Sequence, residues 1–125
     1  MELSSHYVPF PAPTLIVVTN HERARVLRAE HKTVEEVAEV KGQTSEASGD
    51  DVVNLKVLYS NLNLYLQDVL KGGQVSAFRI CVPEINRPLL EESLSPEVLT
   101  HTAQLIPKNL GNMDLPNIMR ILLEI

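Results

Sequence analysis

Arg23, Arg25 and Arg28 follow Asn20 and His21 within the stretch TNHERARVLR. A guanidinium presents donors in a flat fork that matches phosphate or carboxylate oxygens, and a neighbouring amide or imidazole can add a contact. In extended chain Arg23 and Arg25 share one face, whereas Arg28 points to the other unless a bulge intervenes. The group reads in two ways. It is either a solvated hairpin or an anion or RNA-phosphate contact made by Asn20, His21, Arg23 and Arg25, with Lys108 adding charge from a later strand. Residue types alone leave both readings open.

Bond-breaking chemistry is harder to assemble. A two-metal nuclease needs carboxylates converging from several elements, because Mg²⁺ takes hard oxygen ligands and in-line displacement uses two ions about 4 Å apart. The first apolar strand ends in Thr19-Asn20 and a later one in Val82-Pro83-Glu84. The long helix opens on Asp50-Asp51 and otherwise holds only Asp68. His6, His21, His31 and His101 match no zinc spacing. Cys81, the single cysteine, lies between Ile80 and Val82 and reads as a small core residue. No glycine-rich phosphate loop or dinucleotide fingerprint follows the first strand. The expectation is no catalytic residue, no metal and no cofactor.

The chain has 125 residues and a formal net charge of −5. That length suits one domain able to bury roughly two thirds of its unfolded surface. The charge opposes non-specific binding to nucleic acid or an anionic membrane, although a local basic patch survives it. A lone cysteine suits a reducing compartment. MELSSHYVPFPAPT lacks a basic start and an apolar core, and no run approaches the ~20 apolar residues of a membrane span. A cytoplasmic protein without membrane contact is expected.

The elements that must position these groups follow from periodicity. Met1 to Pro13, with Pro9, Pro11 and Pro13, is expected to be an extended leader arm pinned by Tyr7 and Phe10. Residues 14–125 form the domain. The apolar run Leu15 to Val18 predicts a central strand over Thr14 to Asn20, and a tight turn leads to an antiparallel strand over Ala24 to Glu30. Glu35 to Lys41 is read as a third strand, with a one-turn helix over Thr33 to Val40 as the alternative. The polar segment Lys41 to Asp51 predicts a mobile surface loop, and Asp50 or Asp51 a helix cap. Leu55, Leu58, Leu62, Leu66 and Val69 mark one face of a long helix that Gly72-Gly73 ends. A fourth strand spans Ser76 to Val82. A helix from about Asn86 restarts at Ser95-Pro96-Glu97. Leu105 to Leu110 is read as the fifth strand, and Asp114 caps a last helix. Right-handed crossovers then give a mixed five-stranded α/β sheet of order 3-2-1-4-5 with three main helices, the ribonuclease H-like plan.

Three segments carry a resemblance: VVTNHERARVLRAEH, FRICVPEINRPLLEESLSPEV and LIPKNL. In that order they resemble the bacterial host-attachment protein family, a group similar to the middle domain of archaeal and eukaryotic class-1 peptide release factors and pelota. The matching positions are Ala24-Arg25-Val26, Val82-Pro83-Glu84, Leu94-Ser95-Pro96-Glu97 and Lys108-Asn109-Leu110. The release-factor likeness implies contact with ribosomes or tRNA, and the family name implies a role in attachment to host cells.

Release factors direct water at peptidyl-tRNA with a Gly-Gly-Gln tripeptide in the loop before the long helix. Here that loop holds Lys41-Gly42-Gln43, and Gly72-Gly73-Gln74 follows the helix instead, where a helix cap and turn explain it. The expectation is a non-enzymatic, release-factor-like module that touches ribosome, tRNA or a protein partner. The alternatives are a protein of host or surface attachment and a small hydrolase of RNA or an ester. A homo-oligomer through the apolar helix segment Leu62 to Leu66 stays open.

Overall fold

A computed structural model describes residues 1–5, 7–42 and 51–123, with only the backbone of Asp51. Five strands, β1 (Phe10–Thr19), β2 (Arg23–His31), β3 (Thr33–Lys41), β4 (Ala77–Cys81) and β5 (Thr102–Ile106), form one sheet of order β3-β2-β1-β4-β5. Pairing is antiparallel from β1 to β2 to β3 and parallel from β1 to β4 to β5. The α/β plan and strand order agree with the reading from sequence. Arg28 faces opposite to Arg23 and Arg25 in spite of a register slip between Val26 and Leu27.

β1 is central because its alternating side chains are apolar on both sides. Leu15 and Val17 face the core under α1 (Asp51–Gly72), and Ile16 and Val18 face a second core. Val17 and Val18 are wholly buried. α1 buries Leu55, Leu58, Tyr59, Leu62 and Leu66 on the first face, joined by Leu90 of α2 (Arg87–Ser93) and Val98 of α3 (Pro96–His101). α4 (Leu115–Leu123) covers the second face with Ile118, Met119 and Leu122.

Several boundaries depart from the sequence reading. β1 begins at Phe10, before the expected Thr14, and slips register between Phe10 and Thr14, where Pro11 and Pro13 cannot donate. The start of the expected leader arm is also paired. Glu2 bridges Thr33, and the Met1 amine and Val34 N–H exchange bonds of 2.9 and 2.8 Å with each other's carbonyls. β3 begins at Thr33, as a strand and not as the one-turn helix. β5 lies at Thr102–Ile106, not Leu105 to Leu110, because α3 runs straight into it and Pro107 ends it. Four α-helices and a 3-10 turn at Glu84–Asn86 replace the three main helices expected. The loop expected to be mobile and the Asp50 or Asp51 cap fall almost entirely outside the described residues.

Candidate functional site

The carboxyl ends of the parallel strands β1 and β4 lie side by side, and the β1–β2 turn rises beside them. Buried Thr19 donates its hydroxyl to Cys81 O at 3.1 Å and so ties the two strand ends together. Asn20 shapes the turn. Its Oδ1 accepts from Glu22 N–H at 2.8 Å and Arg23 N–H at 2.9 Å, which fixes the amide's orientation and leaves Nδ2 to donate to Asn112 Oδ1 at 2.9 Å.

The arginines are paired. Arg25 is 9% exposed; its Nε and Nη2 both reach Glu36 Oε1, at 2.8 and 2.7 Å. Its remaining nitrogen, Nη1, donates to Gly111 O at 3.3 Å and to Met113 O. The fork therefore clamps the turn before α4 onto the sheet. Arg23 donates to Glu39 Oε1 at 2.8 Å, and that bond holds the Glu39 carboxyl below the usual carboxylate range. Arg28 pairs with Glu30 at 3.0 Å on the opposite face. The stretch that looked basic in sequence thus carries its own counter-charges.

His21 is exposed at the tip of the turn, where Nδ1 lies 3.4 Å from Asn86 Nδ2. In this contact the Asn86 amide donates and Nδ1 accepts. Tyr59 is wholly buried below this pair. Its hydroxyl lies near Thr19 and Asn86 but meets neither in hydrogen-bond geometry. Burial pushes its phenol above the ordinary tyrosine range, and those two neighbours oppose the shift. Lys108 is half-buried near Cys81; burial pushes the thiol up to about 12, with Lys108 pulling the other way. No bond joins Lys108 to the arginines.

Asn20, His21, Arg23 and Arg25 are thus brought to one end of the sheet, with Asn20 and Arg25 buried in its framework and His21 outside. Sequence reasoning missed Glu36, Tyr59, Asn86, Gly111 and Asn112. A Gly-Asn pair ahead of a helix is a turn signal, but nothing in it names Asn20 as its partner. Among the described residues no group of histidine, cysteine, aspartate and glutamate is placed to hold a metal ion. No described helix is long and apolar enough to cross a membrane. Gly73 adopts φ 71° and donates to Leu70 O at 3.1 Å, so the Gly-Gly pair ends α1 in the manner of a left-handed cap.

No family model matches the chain, and no curated protein is similar to it in sequence. The fold has solved counterparts. A chain described as an archaeal protein superposes with a TM-score of 0.60 at 12% identity, over 87% of this chain and 32% of its own. Two structures of Saccharomyces cerevisiae Dom34, a translation termination-like factor involved in RNA quality control and interacting with Hbs1, superpose at 0.57 and 0.55. Their identities are 12 and 11%, over 92 and 87% of this chain and 34 and 31% of theirs. The chain therefore spans about a third of the length of the proteins it resembles. At these identities the likeness is one of fold: an α/β domain of the kind found within Dom34.

Proposed function

We propose that this chain is a non-enzymatic interaction module of the translation-termination-factor type, which engages translation machinery or a protein partner. The observation that carries this reading is the match of nearly the whole chain, at a TM-score of 0.57 and 92% coverage, to one part of Dom34. Dom34 is described as interacting with Hbs1, and an analogous protein contact is the form of partner proposed for this chain. The internal chemistry supports binding over turnover. Arg23 and Arg25 are neutralised by carboxylates, and Cys81 is buried.

The contact surface we assign is the β1–β2 end of the sheet. His21 is exposed at its tip, Arg23 lies half-buried next to it in a pair with Glu39, and Asn20 and Arg25 hold its shape. Ribosome or tRNA contact and a protein contact both fit a small rigid surface of this kind. Affinity capture of the tagged chain from its own lysate, followed by ribosome sedimentation, tests the reading. The expected result is recovery of ribosomal or translation-factor components with the wild type and reduced recovery with His21→Ala combined with Arg23→Glu. Equal recovery from both proteins would remove the assigned surface. Absence of any translational component would remove the translational version.

A further inference from the structure

The two edges of the sheet are built differently. The outer side of β3 is met at its start by Met1 to Leu3, and the strand carries Glu35, Glu36, Glu39 and Lys41. It also slips register opposite Val26 and Leu27. A covered start, charges and a bulge all discourage strand addition. β5 slips at Ala103 too, but Thr102–Ile106 carries no charge, and Ala103 and Gln104 are exposed. Among the described residues no segment pairs with its outer side.

Ile106 O accepts from Val82 N–H at 3.0 Å, on the inner side. Alternation along the strand therefore turns the peptide groups of Leu105 toward the open side. Beside this edge lies a groove of about 410 Å³ lined by Gln104, Leu105, Ile106, Pro107, Lys108 and Leu122. The lining mixes polar and apolar surface in nearly equal parts, with Leu105, Ile106, Pro107 and Leu122 beside Gln104, and its one charged member is Lys108. Lys108 makes no ion pair with a described residue, as is true of several other cations of the chain.

We propose that β5 receives an extended acidic segment of a partner protein by strand addition. The open peptide groups around Leu105 supply the pairing, the groove takes alternate apolar side chains, and Lys108 meets a carboxylate. As the one charge lining the groove, the Lys108 ammonium favours an acidic partner over a basic one. A five-residue edge falls short of the about 1,200 Å² that a stable interface buries, which disfavours a second copy of this chain and fits a transient peptide contact. This deepens the interaction-module reading and rests on it.

The probe is a blocked octapeptide of alternating valine and glutamate, titrated into the isotope-labelled full chain, with the valine–lysine analogue as comparison. We expect amide shifts confined to Thr102 through Lys108 and about tenfold tighter binding of the acidic peptide. Lys108→Glu should reverse that preference. Ala103→Pro should abolish binding; if that variant does not fold, Ala103→Glu serves to weaken binding of the acidic peptide. No shifts at β5, shifts at β3 instead, or equal affinity for both peptides would overturn the proposal. So would self-association through β5 in sedimentation. Ribosome sedimentation is read separately, so loss of the translational reading and loss of this one are distinguishable.

Discussion

Gly111 packs directly against Asn20: a Cβ at position 111 would lie 2.7 Å from Asn20 Cβ and 3.1 Å from its Cγ. The side chain that shapes the β1–β2 turn is also the floor on which the turn before α4 rests. Backbone and amide are locked together there, so the contact cannot open without losing the Asn20–Asn112 bond. We expect Gly111→Ala to cost about 1–3 kcal/mol by overpacking. Asn20→Ala should cost a similar amount by unpairing two N–H groups of the turn. The double variant should cost less than the sum, because removing the Asn20 amide relieves part of the clash. Urea denaturation of the four proteins checks this.

Arg25 and Arg23 differ in role although they share a face. Arg25→Ala removes a nearly buried fork and strands Glu36 and two carbonyls, at a cost of about 2 kcal/mol once the partial exposure of Glu36 is allowed for. Arg25→Lys should recover only part of it, since an ammonium cannot hold Glu36 and both carbonyls in one plane. Arg23→Ala breaks a solvent-facing pair and should leave the unfolding midpoint almost unchanged. Equal effects of the two alanine variants would show that the clamp does not hold the α4 turn.

The glycine pair after α1 gives a graded test. Gly73 has φ 71°, so Gly73→Ala should destabilise by about 1 kcal/mol through backbone strain alone. A Cβ at Gly72 meets nothing within 4 Å, and Gly72→Ala should be neutral or stabilise by a few tenths of about 1 kcal/mol. If these residues act only as a helix end, neither change should alter capture of a partner beyond its effect on folding. Parallel melts and pull-downs separate the two.

Tyr59 buries a hydroxyl that finds no well-formed partner. Tyr59→Phe should therefore leave stability unchanged or raise it by up to about 1 kcal/mol, against a loss of about 1–3 kcal/mol expected where a satisfied bond is broken. A loss of that size would mean that a bound water completes the Thr19–Tyr59–Asn86 cluster. Thermal melts at neutral pH give the answer.

Alkali should weaken the fold in a defined window. The Cys81 thiol is raised from 9.0 to about 12 by burial, so above about pH 9 the unfolded chain loses its proton first. Stability is complete below that pH and falls as pH rises toward about 12, with Tyr59 adding to the fall above about pH 10 for the same reason. Cys81→Ala should flatten the lower part of this decline in denaturation curves taken across the range. The native thiol should also resist disulfide reagents until the protein unfolds.

Much of the scaffold is legible along the chain because it depends on near neighbours. Leu15 to Val18 is apolar enough for a strand buried on both faces, and a turn as tight as Asn20-His21-Glu22 returns it antiparallel. Leu55 to Leu66 repeats on one helix face, and glycine at 72 and 73 stops it. Those local decisions, with short connections, already imply the order 3-2-1-4-5. Strand limits at Phe10 and Thr102 were not legible, since prolines beside β1 and the direct passage from α3 to β5 blur the pattern.

What tertiary structure alone decided is the meaning of the polar residues. In sequence Arg23, Arg25 and Arg28 look like an exposed basic cluster. Folding brings Glu39 and Glu36 across the β2–β3 ladder to Arg23 and Arg25, and Met113 from a turn far along the chain, while Arg28 meets Glu30 within β2. Each charge is paired, and the Arg25 fork is nearly buried. Among the described residues the same folding leaves Lys108 without an ion pair and the outer side of β5 without a paired segment. Apolar burial is recorded in each residue's own type and period, whereas a charge acquires its role from whichever partner the fold delivers within a few ångströms.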